Sequence, residues 1–186
     1  MNRFYLFCYD LLIYIYGAAI RIVALFRPKA KLWVAGRKKI FKEIEEAVSI
    51  DKDAPVAWFH CASLGEFEQG RPVMEAFRKD HPGFRILVTF FSPSGYEIRK
   101  DYPGADFIFY LPADTPKNAK RFLDLVRPEI AFFVKYEFWF NYLRELADRN
   151  IPVYSISAAF REDQYLFRWY GKWALSQLRQ FTAFFV

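Results

Sequence analysis

Ser63 and Glu66 stand three residues apart in the stretch Trp58-Phe59-His60-Cys61-Ala62-Ser63-Leu64-Gly65-Glu66. That spacing is a helix capping box, in which hydroxyl and carboxylate answer backbone N–H groups of the first turn. A carboxylate in a first turn is also held as the anion by the helix dipole, by about 0.3–1 kcal/mol. An ionised carboxylate that faces a cleft can accept a proton as a general base. Gly65 removes a side chain beside it, so an acceptor molecule can approach the backbone. Spacing alone leaves both roles open. His60 and Cys61 are adjacent at the end of an apolar run. Neighbours on a strand point to opposite faces, which argues against a metal pair and against a Cys–His nucleophile pair. His60 then reads as a polar plug at a sheet edge, or as an orienter of Glu66 or of substrate. Glu137 and Asn141 are four apart and would share a helix face, either as an exposed helix start or as a polar lining.

The elements that must position these residues follow from periodicity. Short apolar runs, rich in Val, Ile and Phe, occupy 56–60, 85–91, 106–110, 130–134, 153–157 and 181–186. Several lack polar alternation, as strands do when both faces of a parallel sheet are covered. Helix-like segments lie between them at 66–81, 93–100, 115–127, 137–150 and 163–180. Ser92-Pro93 and Thr115-Pro116 each offer an N-cap followed by proline at the first helical position. Asn150 falls where a helix should end before the next strand. The alternation predicts an α/β fold with a doubly wound, mostly parallel sheet. Ligands in such sheets bind outside the carboxyl ends of the strands. The loops expected there carry Glu66, then Ser92, Ser94 and Gly95, then Asp114, then Lys135, Glu137 and Asn141, then Arg161.

Composition narrows the class. Hydrophobic residues make up 54% of the 186, and aromatics 21%, so a packed core is expected and disorder is not. The net charge of +6 suits nucleic acid, anionic lipid or phosphorylated substrates. No RNP or helix-turn-helix pattern organises the basic residues, which argues against nucleic acid. No GxGxxG, P-loop or zinc spacing occurs, so neither a nucleotide cofactor nor a metal is expected. Cys8 and Cys61 form no disulfide framework, which fits a reducing compartment.

Residues 4–26 are mostly apolar, interrupted by Asp10 and Arg21. As a helix they would reach about 35 Å, against a bilayer core of about 30 Å. Three readings fit: a membrane span, a helix lying in the interface, and a cleaved leader with Gly17-Ala18-Ala19 at its end. A buried core helix is the alternative to all three. Arg27, Lys29, Lys31, Arg37, Lys38, Lys39 and Lys42 follow closely. Positive charge stays cytoplasmic, so the body is expected on the cytoplasmic face, against anionic inner-membrane lipids; an ordinary solvated basic face is the rival reading. The expected divisions are an anchor helix at 1–27, a basic linker or helix at 28–54, and an α/β domain at 55–186. The chain ends inside an apolar run, as the first part of something longer would.

Taken in order, five motifs resemble the N-terminal half of bacterial 3-deoxy-D-manno-octulosonic acid (Kdo) transferases. They are the 58–66 stretch above, Thr89-Phe90-Phe91-Ser92-Pro93-Ser94-Gly95, Tyr110-Leu111-Pro112-Ala113-Asp114, Glu137-Phe138-Trp139-Phe140-Asn141, and Ser157-Ala158-Ala159-Phe160-Arg161. The resemblance extends over nearly all the chain. It implies a two-domain GT-B glycosyltransferase whose Rossmann-like acceptor-binding half is residues 55–186. A missing C-terminal half would bind the donor, CMP-Kdo. The acceptor would be lipid A precursor, at the cytoplasmic face of the inner membrane. Glu66 matches the family's catalytic base. His60, Ser63, Gly65, Ser92, Ser94, Gly95, Lys135, Glu137, Asn141 and Arg161 fall at acceptor-side positions. Two departures stand out. The family's usual Glu-x-Glu-x-Trp-Pro-Asn becomes Lys135-Tyr136-Glu137-Phe138-Trp139-Phe140-Asn141, and the Asn of its usual Asn-x-Arg is absent before Arg161. Another GT-B transferase acting on a lipid-linked sugar, or a non-catalytic docking module at the membrane, are the alternative readings.

Overall fold

The computed structural model describes residues 2–49, 54–158, 160, 164–168 and 171–186. Three N-terminal helices, α1 (Asn2–Val23), α2 (Pro28–Ala35) and α3 (Ile40–Val48), precede the alternating part. That part runs β1 (Val56–Cys61), α4 (Leu64–Asp80), β2 (Arg85–Phe90), α5 (Pro93–Arg99), β3 (Phe107–Tyr110), α6 (Pro116–Val126), β4 (Pro128–Val134), α7 (Phe140–Asp148) and β5 (Val153–Ile156). A 3-10 turn at Tyr165–Phe167, α8 (Lys172–Gln177), a second 3-10 turn at Leu178–Gln180 and β6 (Ala183–Phe184) complete it. The six strands lie in the order β3-β2-β1-β4-β5-β6, and every neighbouring pair is parallel.

The side-chain period of two splits β1 between two cores. Ala57, Phe59 and Cys61 face a cluster with Phe67 and Met74 of α4. Val56 and Trp58 face the other, which holds Phe133 of β4 and is covered by α3, α6 and α7 through Ile44, Phe122 and Leu143. Both faces of the sheet are therefore covered, which is why its strands read as apolar runs without alternation. The helix starts follow their cap residues. Ser92 Oγ accepts from the Ser94 N–H at 3.3 Å, and Thr115 Oγ1 from the Asn118 N–H at 3.2 Å. Pro93 and Pro116 follow as first helical residues.

Two helices differ from expectation. The segment 163–180 is not one helix: Gly171 stands at the N-cap of a short α8, flanked by 3-10 turns. The segment 137–150 becomes helical only at Phe140. Lys135, just after β4, takes a left-handed backbone with φ 64°, and the chain stays irregular until the first turn of α7 is capped.

Arg37 is the second surprise, because it does not belong to a solvated basic face. Its guanidinium donates to the carbonyls of Leu111 (2.8 Å), Phe91 (2.8 Å) and Trp33 (3.1 Å). It also lies over the rings of Trp33, Tyr110 and Phe91, at 3.9, 4.8 and 5.2 Å from their centroids. Burial opposes its charge and lowers its pKa; the carbonyls and ring faces offset that cost. One side chain thus ties the α2–α3 turn to the carboxyl ends of β2 and β3. Arg37→Ala should lower unfolding stability by about 2–4 kcal/mol, since it leaves carbonyls unpaired and removes charge-assisted bonds. Urea denaturation measures this; a loss under about 0.5 kcal/mol would contradict the role.

Candidate functional site

The chain order of the sheet reverses between β1 and β4. A crevice opens at the carboxyl ends of such a strand pair, where connections depart in opposite directions. The loop after β1 brings Glu66 to this crevice and the loop after β4 brings Glu137. Ser63 and Glu66 do form the capping box of α4. Glu66 Oε2 accepts from the Ser63 N–H at 2.7 Å and from the Ser63 hydroxyl at 3.2 Å. The carboxylate is half-buried. Burial raises its pKa above the usual glutamate value, and the negative charge of Glu137 raises it further, against the pull of the Ser63 bonds. Cap and proton acceptor are thus compatible in one side chain. A Cβ built at Gly65 would meet no atom within 4 Å, so this exposed glycine fronts open space.

His60 is fully buried. Its Nε2 accepts the indole N–H of Trp139 at 2.9 Å. An indole nitrogen only donates, so Nε2 carries the lone pair and the proton sits on Nδ1. That Nδ1–H donates to Thr89 Oγ1 at 2.9 Å, and Thr89 also accepts from the Trp58 indole at 2.8 Å. Glu137 Oε2 lies 3.6 Å from His60 Nε2. With no proton on Nε2, this is two acceptors side by side and not an ion pair. His60 therefore holds Trp139, and Trp139 packs its ring on Phe91 with centroids 4.7 Å apart. The plug expected of His60 is what its burial and bonds describe. Cys61 lies on the opposite face, buried, its thiol pushed well up by burial.

The remaining expected residues divide. Ser92 and Ser94 sit at the start of α5, their hydroxyls 2.9 Å apart and partly exposed to the same edge. Gly95 is buried, with a Cβ there colliding with the Phe90 ring, so its absent side chain lets α5 close on the sheet. Lys135 is half-buried; its strained backbone donates to the Ile156 carbonyl at 2.9 Å and accepts from Ser155 Oγ at 3.1 Å. Arg161 lies outside the described residues. Glu137 and Asn141 do not share a helix face, because Glu137 precedes α7. Asn141 is buried, and its amide donates at 2.8 Å both to Asp10 Oδ1 and to the Asp114 carbonyl. These bonds hold two neighbouring segments together and do not line the crevice.

Asp114 is the centre of that arrangement. Its carboxylate accepts the N–H groups of Asn141 (3.1 Å) and Tyr142 (3.0 Å), which opens α7, and the hydroxyl of Tyr9 (2.5 Å). Complete burial raises its pKa to about 7, even against these hydrogen bonds. Asp114 was expected on a loop at this edge, but not as its buried centre; Thr89, Trp139, Tyr9 and Asp10 were not singled out as site residues from sequence. One signal was legible: an acid inside an apolar run must find a partner, and Asp10 finds Asn141. Among the described residues no group of three or more His, Cys, Asp or Glu is suited to a metal ion. A cavity of about 560 Å³, lined by Val56, Phe107, Asp124 and Arg127 among others, opens where β1 and β3 begin, at the edge opposite Glu66.

The family model of 3-deoxy-D-manno-octulosonic-acid transferase (kdotransferase) matches residues 19–186. The chain belongs to this family. Among similar Kdo transferases, that of Haemophilus influenzae is 33% identical over 51% of the chain, and that of Aquifex aeolicus 39% identical over 44%. That of Chlamydia pneumoniae is 29% identical over 67%. The matched segments make up only 22%, 23% and 30% of those relatives' own lengths. A solved UDP-N-acetylglucosamine 2-epimerase shares the fold, with a TM-score of 0.51 at 12% identity over 72% of this chain and 42% of that one. The match to the Kdo transferase family begins near the end of α1 and leaves residues 2–18 of that helix unmatched. It spans the Glu66 and Glu137 loops and Lys135.

Asp114→Ala would orphan two buried backbone N–H groups and a tyrosine hydroxyl, and should cost about 2–4 kcal/mol in urea unfolding. The pH dependence has a definite sign. The folded pKa near 7 lies above the ordinary value, so this group's contribution is full below about pH 4 and is lost as pH rises through 7. Replacement by a neutral group, Asp114→Asn, should flatten that part of the stability–pH curve. An unchanged slope between pH 4 and 7 would count against the raised pKa.

Proposed function

We propose that this chain is the acceptor-binding part of a Kdo transferase that moves Kdo from CMP-Kdo to lipid A precursor. A further domain beyond Val186 would hold most of the donor. The observation that carries the reading is Glu66, a capped, half-buried carboxylate with a raised pKa, facing open space beside Gly65 at the strand-order reversal.

The chemistry assigned to it is proton removal. A sugar hydroxyl of the acceptor approaches over Gly65, and Glu66 takes its proton as the oxygen attacks the anomeric carbon of Kdo. The new C–O bond forms as the bond to CMP breaks, and CMP leaves with the electron pair. A base whose pKa lies nearer the working pH than that of a free carboxylate is better matched to a hydroxyl proton. Glu137 contributes charge: it keeps Glu66 basic and would repel a second anion from the base. Ser63 fixes the carboxylate's orientation through the cap. Ser92 and Ser94 offer hydroxyls to the acceptor sugar. Lys135 replaces an acid usual in the family, and we assign it to an acceptor phosphate, with Arg161 as a second cation. His60 and Gly95 act by positioning, His60 through Trp139 and Gly95 by closing α5 on the loop.

The test is a transfer assay with CMP-Kdo and lipid A precursor, using the chain extended beyond Val186. Glu66→Gln should cut kcat by at least about 100-fold with acceptor binding retained, the size expected for loss of a general base. Near-normal turnover would remove Glu66 from the role, and no Kdo transfer by the unaltered enzyme would favour a different lipid-linked sugar transfer or a docking role. The rate should fall on the acid side at a pH above the ordinary glutamate pKa, because protonated Glu66 is inactive. Glu137→Gln should move that acid limb to lower pH, since it removes the charge that raises Glu66; a limb that stays in place would break the coupling.

A further inference from the structure

By length and composition, Arg3–Val23 of α1 could cross a membrane. Its contacts argue for another placement. One stripe of the helix, Leu6, Tyr9, Asp10, Ile13, Gly17 and Ile20, is partly or fully covered, at the three- and four-residue spacing of a single helical face. The covering comes from the α/β domain and from α2. Tyr5 stacks on Trp173 at 5.9 Å between centroids, and Tyr9 meets Phe140 at 5.0 Å and bonds to Asp114. Asp10 bonds to Asn141, and six residues later Tyr16 packs on Phe91 at 6.1 Å and on Trp33 at 6.2 Å. From Tyr5 to Tyr16 is about 16 Å of helix laid along the carboxyl edge of the sheet. What remains beyond Tyr16 is about 10 Å, far short of a hydrocarbon core of about 30 Å. A spanning α1 would drag the sheet edge, with Asp114, Arg37 and both crevice carboxylates, into lipid at high cost.

The opposite face is apolar and bare. Phe4, Phe7, Leu12, Ile15 and Ile22 are each more than half exposed, and Leu25 and Phe26 continue the surface at 77% and 78%. Lys29, Lys31, Lys38 and Lys39 are exposed just beyond, and Asp10, turned inward, is the only acid before Glu43. An apolar stripe with cations beside it and no outward acid fits an anionic bilayer surface, into which a helix can sink about 5–10 Å. A second protein would have to match that uniform positive charge over a surface that is otherwise hydrocarbon.

We infer that α1 lies in the plane of an anionic membrane surface, docked by its inner face on the carboxyl edge of the sheet, with its N-terminus and the domain on the same side of the bilayer. Combined with the proposed function, this sets the crevice at the level of the lipid headgroups, where a lipid-borne sugar reaches Glu66 without leaving the membrane.

Topology and vesicle binding test it, and neither depends on transfer activity, so failure of the Kdo reading would not affect the result. The first experiment uses the full chain with an N-terminal protease-cleavable tag, in spheroplasts and in inverted inner-membrane vesicles. Tag and domain should be cut together in inverted vesicles and both protected in spheroplasts. A tag cut in spheroplasts would establish a span and overturn the inference. In the second, flotation with preformed vesicles should recover the chain with phosphatidylcholine containing a third phosphatidylglycerol, and at least tenfold less of it with phosphatidylcholine alone. Leu12→Glu with Ile15→Glu should lower recovery at least tenfold, with no change in thermal unfolding because both side chains are exposed. Equal recovery on neutral and anionic vesicles, or undiminished recovery of the variant, would also overturn it. The topology result stands by itself should the double variant fold poorly.

Discussion

A single buried carboxylate organises the functional edge of this protein. Asp114 leaves β3, reaches the first turn of α7 and accepts its free N–H groups, then takes the hydroxyl of Tyr9 from α1. Burying a charge is costly, and the pKa raised to about 7 records the cost. The arrangement holds because every oxygen of that carboxylate is used. Without it α7 would start uncapped, the 135–139 loop would lose its downstream fixed point, and α1 would lose its main polar contact with the domain.

The rest of the edge is fixed by the same logic of matched donors and acceptors. Trp139 has only a donor to offer, and His60 only one nitrogen free to receive it. Thr89 takes two donors at once from the other side. Arg37 spends its donors on three carbonyls at the ends of neighbouring elements. These bonds are buried or partly buried, where an unmade partner is expensive. They leave Glu66 as a carboxylate held by a cap on one side and open on the other, so the rigidity belongs to the support and the freedom to the site.

Charge is arranged unevenly at one end of the sheet. At the carboxyl edge Glu66 and Glu137 lie close enough to raise the pKa of the first. Around that edge the exposed charges of α1 and α2 are basic. A negative crevice thus lies beside a positive, partly apolar rim.

The sequence by itself determined the class of the fold, because buried parallel strands need continuous apolar runs and the helices between them need caps, both of which are local patterns. It also marked Ser63 and Glu66, since a capping box is a three-residue spacing. The tertiary structure decided what spacing could not. Glu137 and Asn141 look like helix partners four apart, yet a left-handed Lys135 and the distant Asp114 delay the helix and send them to different neighbours. Arg37 reads as one of a basic cluster, yet three carbonyls from separate elements enclose it. Asp10 reads as a flaw in an apolar helix, yet a partner 131 residues away turns it into the contact that lays that helix along the domain. Each of these depends on a bond between segments far apart in the chain, and no local pattern carries that information.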